Sequence, residues 1–255
     1  MTSVARRYFD GLAERLERLR DTQCEAIEAA AELCAASIAA GKLVFTFGTG
    51  HGAIPALESF PRTGTIVGFR PIVETAMLSF HRVWGDTGAR QYRFIHAAEG
   101  YGRAIMASHQ TDPGDGMILF SHSGINAVII DIALECKRLG IRLVAVTSLG
   151  HSQAAASRHS SGKRLFELAD VVIDSGGALG DAALRLDGLE HPVGAQSTSL
   201  TVAVTHAIEA CTAERLIARG IEPMVMLSPN TAGKQAATEQ NERNYAELWR
   251  RLRAR

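Results

Sequence analysis

The sequence predicts an α/β protein, a doubly wound and mostly parallel sheet of five strands flanked by helices. Three observations carry that prediction. Apolar runs such as Met117 to Phe120 show no period-two alternation, as expected for strands buried on both faces of a parallel sheet. Helical patterns separate these runs along the chain, as crossovers between parallel strands require. Four of the predicted strands close in Gly, Ser or Thr, and right-handed crossovers bring those ends to one edge, where doubly wound sheets hold ligands.

Taken in order, Tyr8, Leu12, Leu16 and Leu19, then Ile27, Ala31, Cys34 and Ile38, recur at helical spacing. They predict a long amphipathic helix or a helical hairpin ending at Gly41, whose apolar stripe needs its own sheet or a second subunit to cover it. Lys42 to Phe47 reads as the first strand, closing in Gly48-Thr49-Gly50-His51-Gly52 before a helix through Leu57. The glycine spacing is not G-x-G-x-x-G and no acidic residue ends a second strand, so a nucleotide cofactor is disfavoured. Pro61 ends that helix, and Thr65 to Phe69 reads as a short strand. Helical pieces are expected over 72–80 and 94–109, and Asp112-Pro-Gly-Asp-Gly marks the turn into the central strand.

Residues 117 to 126 organise the rest. An apolar strand ends in Ser121-His122-Ser123-Gly124 and enters a helix over Asn126 to Leu139. Two hydroxyls, a glycine that admits close backbone approach and the positive end of a helix form a cradle suited to an anion, above all phosphate. The same serines would also serve as ordinary turn and N-cap residues. Arg142 to Val146 and Val171 to Ile173 complete the strands, closing in Thr147-Ser148 and in Ser175-Gly176-Gly177. A long helix from about Ser199 to Arg219 and a terminal helix from Glu239 to Arg253 end the pattern. The chain is read as one domain: a helical arm over 1–40, an α/β core over 41–220 and a C-terminal extension over 221–255.

Composition narrows the function. With 27 basic and 27 acidic residues the formal net charge is zero, so no overall field draws the chain to nucleic acid or an anionic membrane. A small-molecule ligand fits better. No apolar run reaches about eighteen residues and the first residues lead into an amphipathic pattern, so a cytoplasmic protein is expected. Cys24, Cys34, Cys136 and Cys211 lack zinc-ligand spacing and are expected as reduced, buried thiols. No metal or other cofactor is expected.

The stretch 121–128, Ser-His-Ser-Gly-Ile-Asn-Ala-Val, with 138–148, Arg-Leu-Gly-Ile-Arg-Leu-Val-Ala-Val-Thr-Ser, and 168–174, Leu-Ala-Asp-Val-Val-Ile-Asp, resembles the core signature of SIS (sugar isomerase) domains. Phe-Gly-Thr-Gly-His-Gly at 47–52 is similar to that family's first loop. Ser157-Arg-His-Ser-Ser-Gly-Lys-Arg-Leu165, Gly180-Asp-Ala182 and the tail from Ser228 resemble a stand-alone bacterial branch. The resemblance implies the SIS fold, a homodimer or homotetramer, and a sugar phosphate as the partner. Family members include phosphosugar isomerases, an etherase acting on a sugar phosphate, and regulatory domains that bind without turnover. Aldose–ketose isomerisation is the leading reading; a non-catalytic sensor and an etherase-like lyase are the alternatives.

Carried over by position, the family's phosphate cradle falls on Thr49, Gly50, His51, Ser121, His122, Ser123, Asn126 and Ser148. Gly52 departs from related loops, which commonly carry serine, so one hydroxyl contact is expected to be missing. Isomerisation needs a base and a proton donor, usually Glu and His. The candidates are Glu58 in the helix after the glycine loop, His206 after the Ser/Thr-rich Gln196 to Thr201, and Glu99 before the central strand. If Glu99 faces the sugar, partial burial should raise its pKa toward neutrality.

Overall fold

The computed structural model describes residues 3–78 and 86–254. Its first element, α1 (Val4–Ala39), is one helix of 36 residues and not a hairpin. Ser3 caps it, its hydroxyl accepting from the Arg6 N–H at 3.2 Å. The apolar positions read from the sequence bury Leu19, Ile27, Ala31, Cys34 and Ile38 against the chain's own sheet and a later helix.

β1 (Val44–Gly48) is buried at all five positions. A 3₁₀ turn over Gly50–Gly52 and the short α2 (Ala53–Leu57) follow. The second strand, β2 (Phe69–Pro71), lies later than the expected Thr65 to Phe69. Gly68 explains the shift. Its φ of +127° admits only glycine, and a Cβ there would meet the Ile38 side chain at 2.6 Å, so the chain bends past α1 before pairing with β1. The helix expected over 72–80 is only a 3₁₀ turn at Thr75–Met77 within the described residues, and 79–80 lie outside them. The helix expected over 94–109 is interrupted: α3 (Asp86–Ile95) and α4 (Tyr101–Ser108) are separated at Gly100, which has φ +90°.

β3 (Gly116–Phe120), α5 (Ala127–Leu139) and β4 (Arg142–Thr147) match their expected places, with Gly140 in the left-handed conformation ending α5. A short α6 (Leu149–Ala154) precedes β5 (Val171–Asp174). The antiparallel hairpin of β6 (Ala182–Leu184) and β7 (Val193–Ala195) was not anticipated by any sequence pattern. It lies under the start of α1, where the Tyr8 hydroxyl donates to the Ala195 carbonyl at 2.8 Å. α7 (Ser197–Ala218), α8 (Pro229–Ala232) and α9 (Lys234–Arg253) complete the chain. The last is fastened to the arm by Arg251, which donates to the carbonyls of Ile38 and Lys42 at 3.0 Å each.

The five strands pair in parallel in the order β2-β1-β3-β4-β5. The missing alternation in β3 now has its cause. Ile118 and Phe120 face a core shared with α1 and α7, while Met117 and Leu119 face one built with α4 and α5. Both faces are covered, so every position is apolar. Among the described residues no helix is long and apolar enough to cross a membrane. All four cysteines are free. Burial pushes the thiols of Cys34 and Cys136 up to about 12, whereas Cys24, expected to be buried, is exposed on the outer face of α1.

Candidate functional site

The carboxyl ends of β1 and β3 open into a cavity of about 230 Å³. Its wall takes Thr49, His51 and Gly52 from the loop after β1, and Phe120, Ser121, His122, Ser123 and Asn126 from the loop after β3. Tyr92 of α3, Asp181 and the start of α7 with Ser197, Thr198 and Thr201 close the other side. Gly124 sets the loop after β3. Its φ is +62°, and its N–H donates to the Ser121 hydroxyl at 3.1 Å, folding the chain over before Asn126 begins α5. The positive end of α5 therefore opens on the cavity.

His122 is held from behind by the loop after β5. Its Nε2 lies 3.0 Å from the Ala178 carbonyl, and because a carbonyl only accepts, Nε2 carries the proton. Nδ1 is then left with a lone pair that is buried and has no partner among the described residues. Gly177 allows this closure, since a Cβ there would lie 2.7 Å from the His122 ring. The His151 ring packs edge-on at 4.8 Å, and burial, with the neighbouring His122, lowers its pKa. Ser148 does not line the cavity. Its hydroxyl donates to the Gly177 carbonyl at 2.8 Å and so pins the same loop. Gly50 is buried in the 3₁₀ turn behind the wall. The other six cradle positions, Thr49, His51, Ser121, His122, Ser123 and Asn126, all line the cavity.

On the far wall, Asp181 adopts φ +68° and aims its carboxylate at the opening of α7. It accepts from the N–H groups of Gln196 at 3.1 Å and Ser197 at 2.8 Å, and from the Ser197 hydroxyl at 2.7 Å. Burial pushes its carboxyl up, but these bonds outweigh it and the pKa is lowered overall. Tyr92 stacks on His96 at 4.7 Å and its hydroxyl reaches the Thr49 hydroxyl at 3.4 Å.

Two of the three candidate acid–base groups meet. Glu58, at the end of α2, places Oε2 3.5 Å from His206 Nε2 and 2.6 Å from Arg62 Nε. On the other side of the imidazole, Nδ1 lies 3.6 Å from Glu209 Oε2. Glu209 is 5% exposed, and burial pushes its carboxyl up to about 8. This cluster lies along the seam of α2 and α7, tied by the Thr205 hydroxyl donating to the Pro55 carbonyl at 3.3 Å. It is outside the cavity wall. At 1.5 Å per helical residue, it stands about 8 Å along the seam from Gly52 and Thr201.

Glu99 lies elsewhere. It lines a second cleft with Arg103, Asp131, Glu135 and His159, and its carboxylate accepts from both the N–H and the hydroxyl of Ser160 at 2.6 Å. Those bonds hold its pKa below the ordinary carboxylate range, the reverse of the expected rise. Among the described residues no group of three or more His, Cys, Asp or Glu side chains is arranged to hold a metal ion.

Residues 7–148 match the family model of the SIS domain. The chain belongs to the SIS domain family. Relatives agree along nearly the whole length. A UPF0309 protein of Listeria monocytogenes is 37% identical over 227 residues, covering 89% of this chain and 90% of its own. The UPF0309 protein of Streptomyces coelicolor is 32% identical over 229 residues, 90% of each chain. Among solved structures, phosphoheptose isomerase from Neisseria gonorrhoeae superposes with a TM-score of 0.55 at 15% identity, over 82% of this chain and 96% of its own. The enzyme from Francisella tularensis gives 0.54 at 15% identity, over 83% and 98%. These likenesses establish the fold of the SIS domain described here.

Three parts of this SIS domain's cavity were not among the residues expected to form it. Ser197, Thr198 and Thr201 did carry a signal, the Ser/Thr-rich run that opens α7. Asp181 stood in a short motif, but its role depends on α7 beginning sixteen residues later. Tyr92 had no local signal, because α3 reaches the cavity only through the fold.

Proposed function

We propose that this SIS domain binds a sugar phosphate in the cavity at the ends of β1 and β3 and interconverts its aldose and ketose forms. The observation that carries the reading is the convergence of Thr49, Ser121, Ser123 and Asn126, from two separate strand ends, on one cavity at the opening of α5. Hydroxyls, backbone N–H groups and a helix dipole are the donors a phosphate ester requires. With the phosphate seated there, the open-chain sugar extends along the α2–α7 seam toward Glu58 and His206. A carboxylate beside an imidazole supplies a base for the carbon-bound proton and a donor for the oxygens that exchange double-bond character. The sugar's overall redox state is unchanged, because the proton taken from one carbon is delivered to its neighbour while a hydroxyl proton passes from one oxygen to the other.

A second reading is favoured by one feature. Glu58 is held by Arg62 and the Glu58–His206 pair does not line the cavity, which suits a sensor that binds a sugar phosphate without turnover. A thermal-shift screen of sugar phosphates identifies the ligand, and turnover then separates the two readings. A ligand at 100 times its Kd stabilises the fold by about 2.7 kcal/mol. Ser123→Ala should weaken binding of the responding ligand by about 1.5 to 3 kcal/mol, the worth of a hydrogen bond to a charged group, and unchanged affinity would remove the loop from the site. Turnover followed by NMR should vanish in Glu58→Gln while the thermal shift persists. A wild-type protein that binds the ligand but leaves it unconverted decides for the sensor.

A further inference from the structure

The cavity is short of positive charge for the ligand proposed above. Its lining contains one carboxylate, Asp181, two imidazoles, and no lysine or arginine among the described residues. A phosphate monoester carries close to two negative charges at neutral pH. The segment Ser157 to Leu165, singled out in the sequence and so far without a role, brings a cation to the rim. The Arg158 N–H donates to the Ile125 carbonyl at 2.9 Å, which sets the residue directly over the loop after β3. Its guanidinium Nη1 donates to Asn126 Oδ1 at 3.3 Å, the one hydrogen bond this exposed side chain makes among the described residues. Charge-assisted bonds usually close to 2.7–2.9 Å, so this contact is loose, and four further N–H donors remain for another acceptor.

The backbone beneath Arg158 is firmly held. Glu99 grips Ser160 at 2.6 Å through both its N–H and hydroxyl, and Asp131 Oδ1 lies 3.3 Å from the buried His159 ring. The Leu165 N–H donates to the Gly124 carbonyl at 2.8 Å. A fixed backbone carrying a loosely engaged guanidinium beside an anion site is a preorganised arm. The second cleft, with Glu99, thereby finds a use in positioning this segment. The charge of Arg158 is also felt at His151, below the loop, where it helps to lower the imidazole pKa after burial and His122.

We propose that Arg158 is a phosphate-binding residue of this cavity, its guanidinium exchanging Asn126 Oδ1 for oxygens of the bound phosphate. The proposal rests on the reading of the cavity as a phosphate site. It is tested with the full chain by titrating inorganic phosphate into wild type, Arg158→Gln, Arg158→Lys and Ser123→Ala, following histidine chemical shifts and the thermal midpoint. Arg158 is exposed, so its variants should fold. Arg158→Gln is expected to weaken phosphate binding by about tenfold to a hundredfold and Arg158→Lys by less, because a lysine keeps the charge but loses the planar fork. Wild-type affinity should also rise with pH as phosphate becomes a dianion, and that rise should be blunted in Arg158→Gln. If Ser123→Ala weakens binding while Arg158→Gln does not, Arg158 is excluded and the cavity reading stands. If wild type binds no phosphate, or both variants bind like wild type, the cavity reading falls and this proposal with it.

Discussion

Gly52 replaces the serine that the resemblance leads one to expect in this loop, and its surroundings leave no room for a side chain. A Cβ at this position would lie 2.6 Å from the Phe120 carbonyl oxygen, and one at Gly48 would lie 2.0 Å from the Gly52 oxygen. The loop after β1 is pressed against the end of β3, and the two backbones approach too closely for a side chain at position 52. Gly52→Ser should therefore not restore a ligand contact. It should cost about 1–3 kcal/mol, the usual range for overpacking, read as a lower denaturant midpoint. A serine variant as stable as wild type that binds sugar phosphate more tightly would show that the loop can yield. At this scale the cradle of Ser121, Ser123 and Asn126 was legible because strand, turn and helix start are local patterns. The pairing of Glu58 with His206 was not. Each residue type could be read, but 148 positions separate them and only the packing of α2 on α7 brings them to 3.5 Å.

Elements were legible in proportion to their apolar content. The buried strands β1, β3 and β4 stand out as apolar runs, whereas β6 and β7, three residues each and only partly buried, carry neither alternation nor a continuous run. The helix expected over 94–109 failed at Gly100, a break that a periodicity reading spans without noticing. The α2–α7 seam has its own testable consequence. Buried between Glu58, Arg62, His206 and the thiol of Cys34, Glu209 has its carboxyl pushed up from 4.5 to about 8 by burial, with Arg62 opposing and Glu58 adding to the rise. A folded-state pKa above the unfolded value means the native protein binds the extra proton between those limits. The associated stability is intact below about 4.5 and is lost as pH climbs through about 8. Glu209→Gln, which keeps the shape without the charge, should flatten this loss. Urea midpoints of wild type and variant should diverge toward alkaline pH, the variant being the more stable there. Parallel curves across that window would mean that Glu209 is already ionised in the fold.

Over the whole molecule, a balanced charge of 27 basic and 27 acidic residues leaves association to apolar surface. α1 is about 54 Å long at 1.5 Å per residue, longer than the sheet it covers. Its second half buries Ala30, Cys34 and Ile38 against the core, but its first half keeps Phe9 66% exposed and Leu16 38% exposed. Those two residues stand seven apart, two helical turns, and so share a face, with Leu12 between them packed at the edge of the core. Single exposed apolar residues are ordinary, but an aligned pair on an arm this long is the kind of surface a second copy covers. We propose a homodimer or homotetramer assembled with this part of α1 in the contact. Sedimentation at micromolar concentration should then show a species at least twice 27.4 kDa. Phe9→Asp should shift it toward the monomer, and because the Phe9 side chain is mostly in solvent, the far-UV spectrum should stay that of the folded chain. A wild-type protein that sediments as a clean 27.4 kDa monomer overturns the assembly. An oligomer indifferent to Phe9→Asp keeps the assembly and moves the contact to another face, with the exposed Ile217 of α7 the next position to substitute.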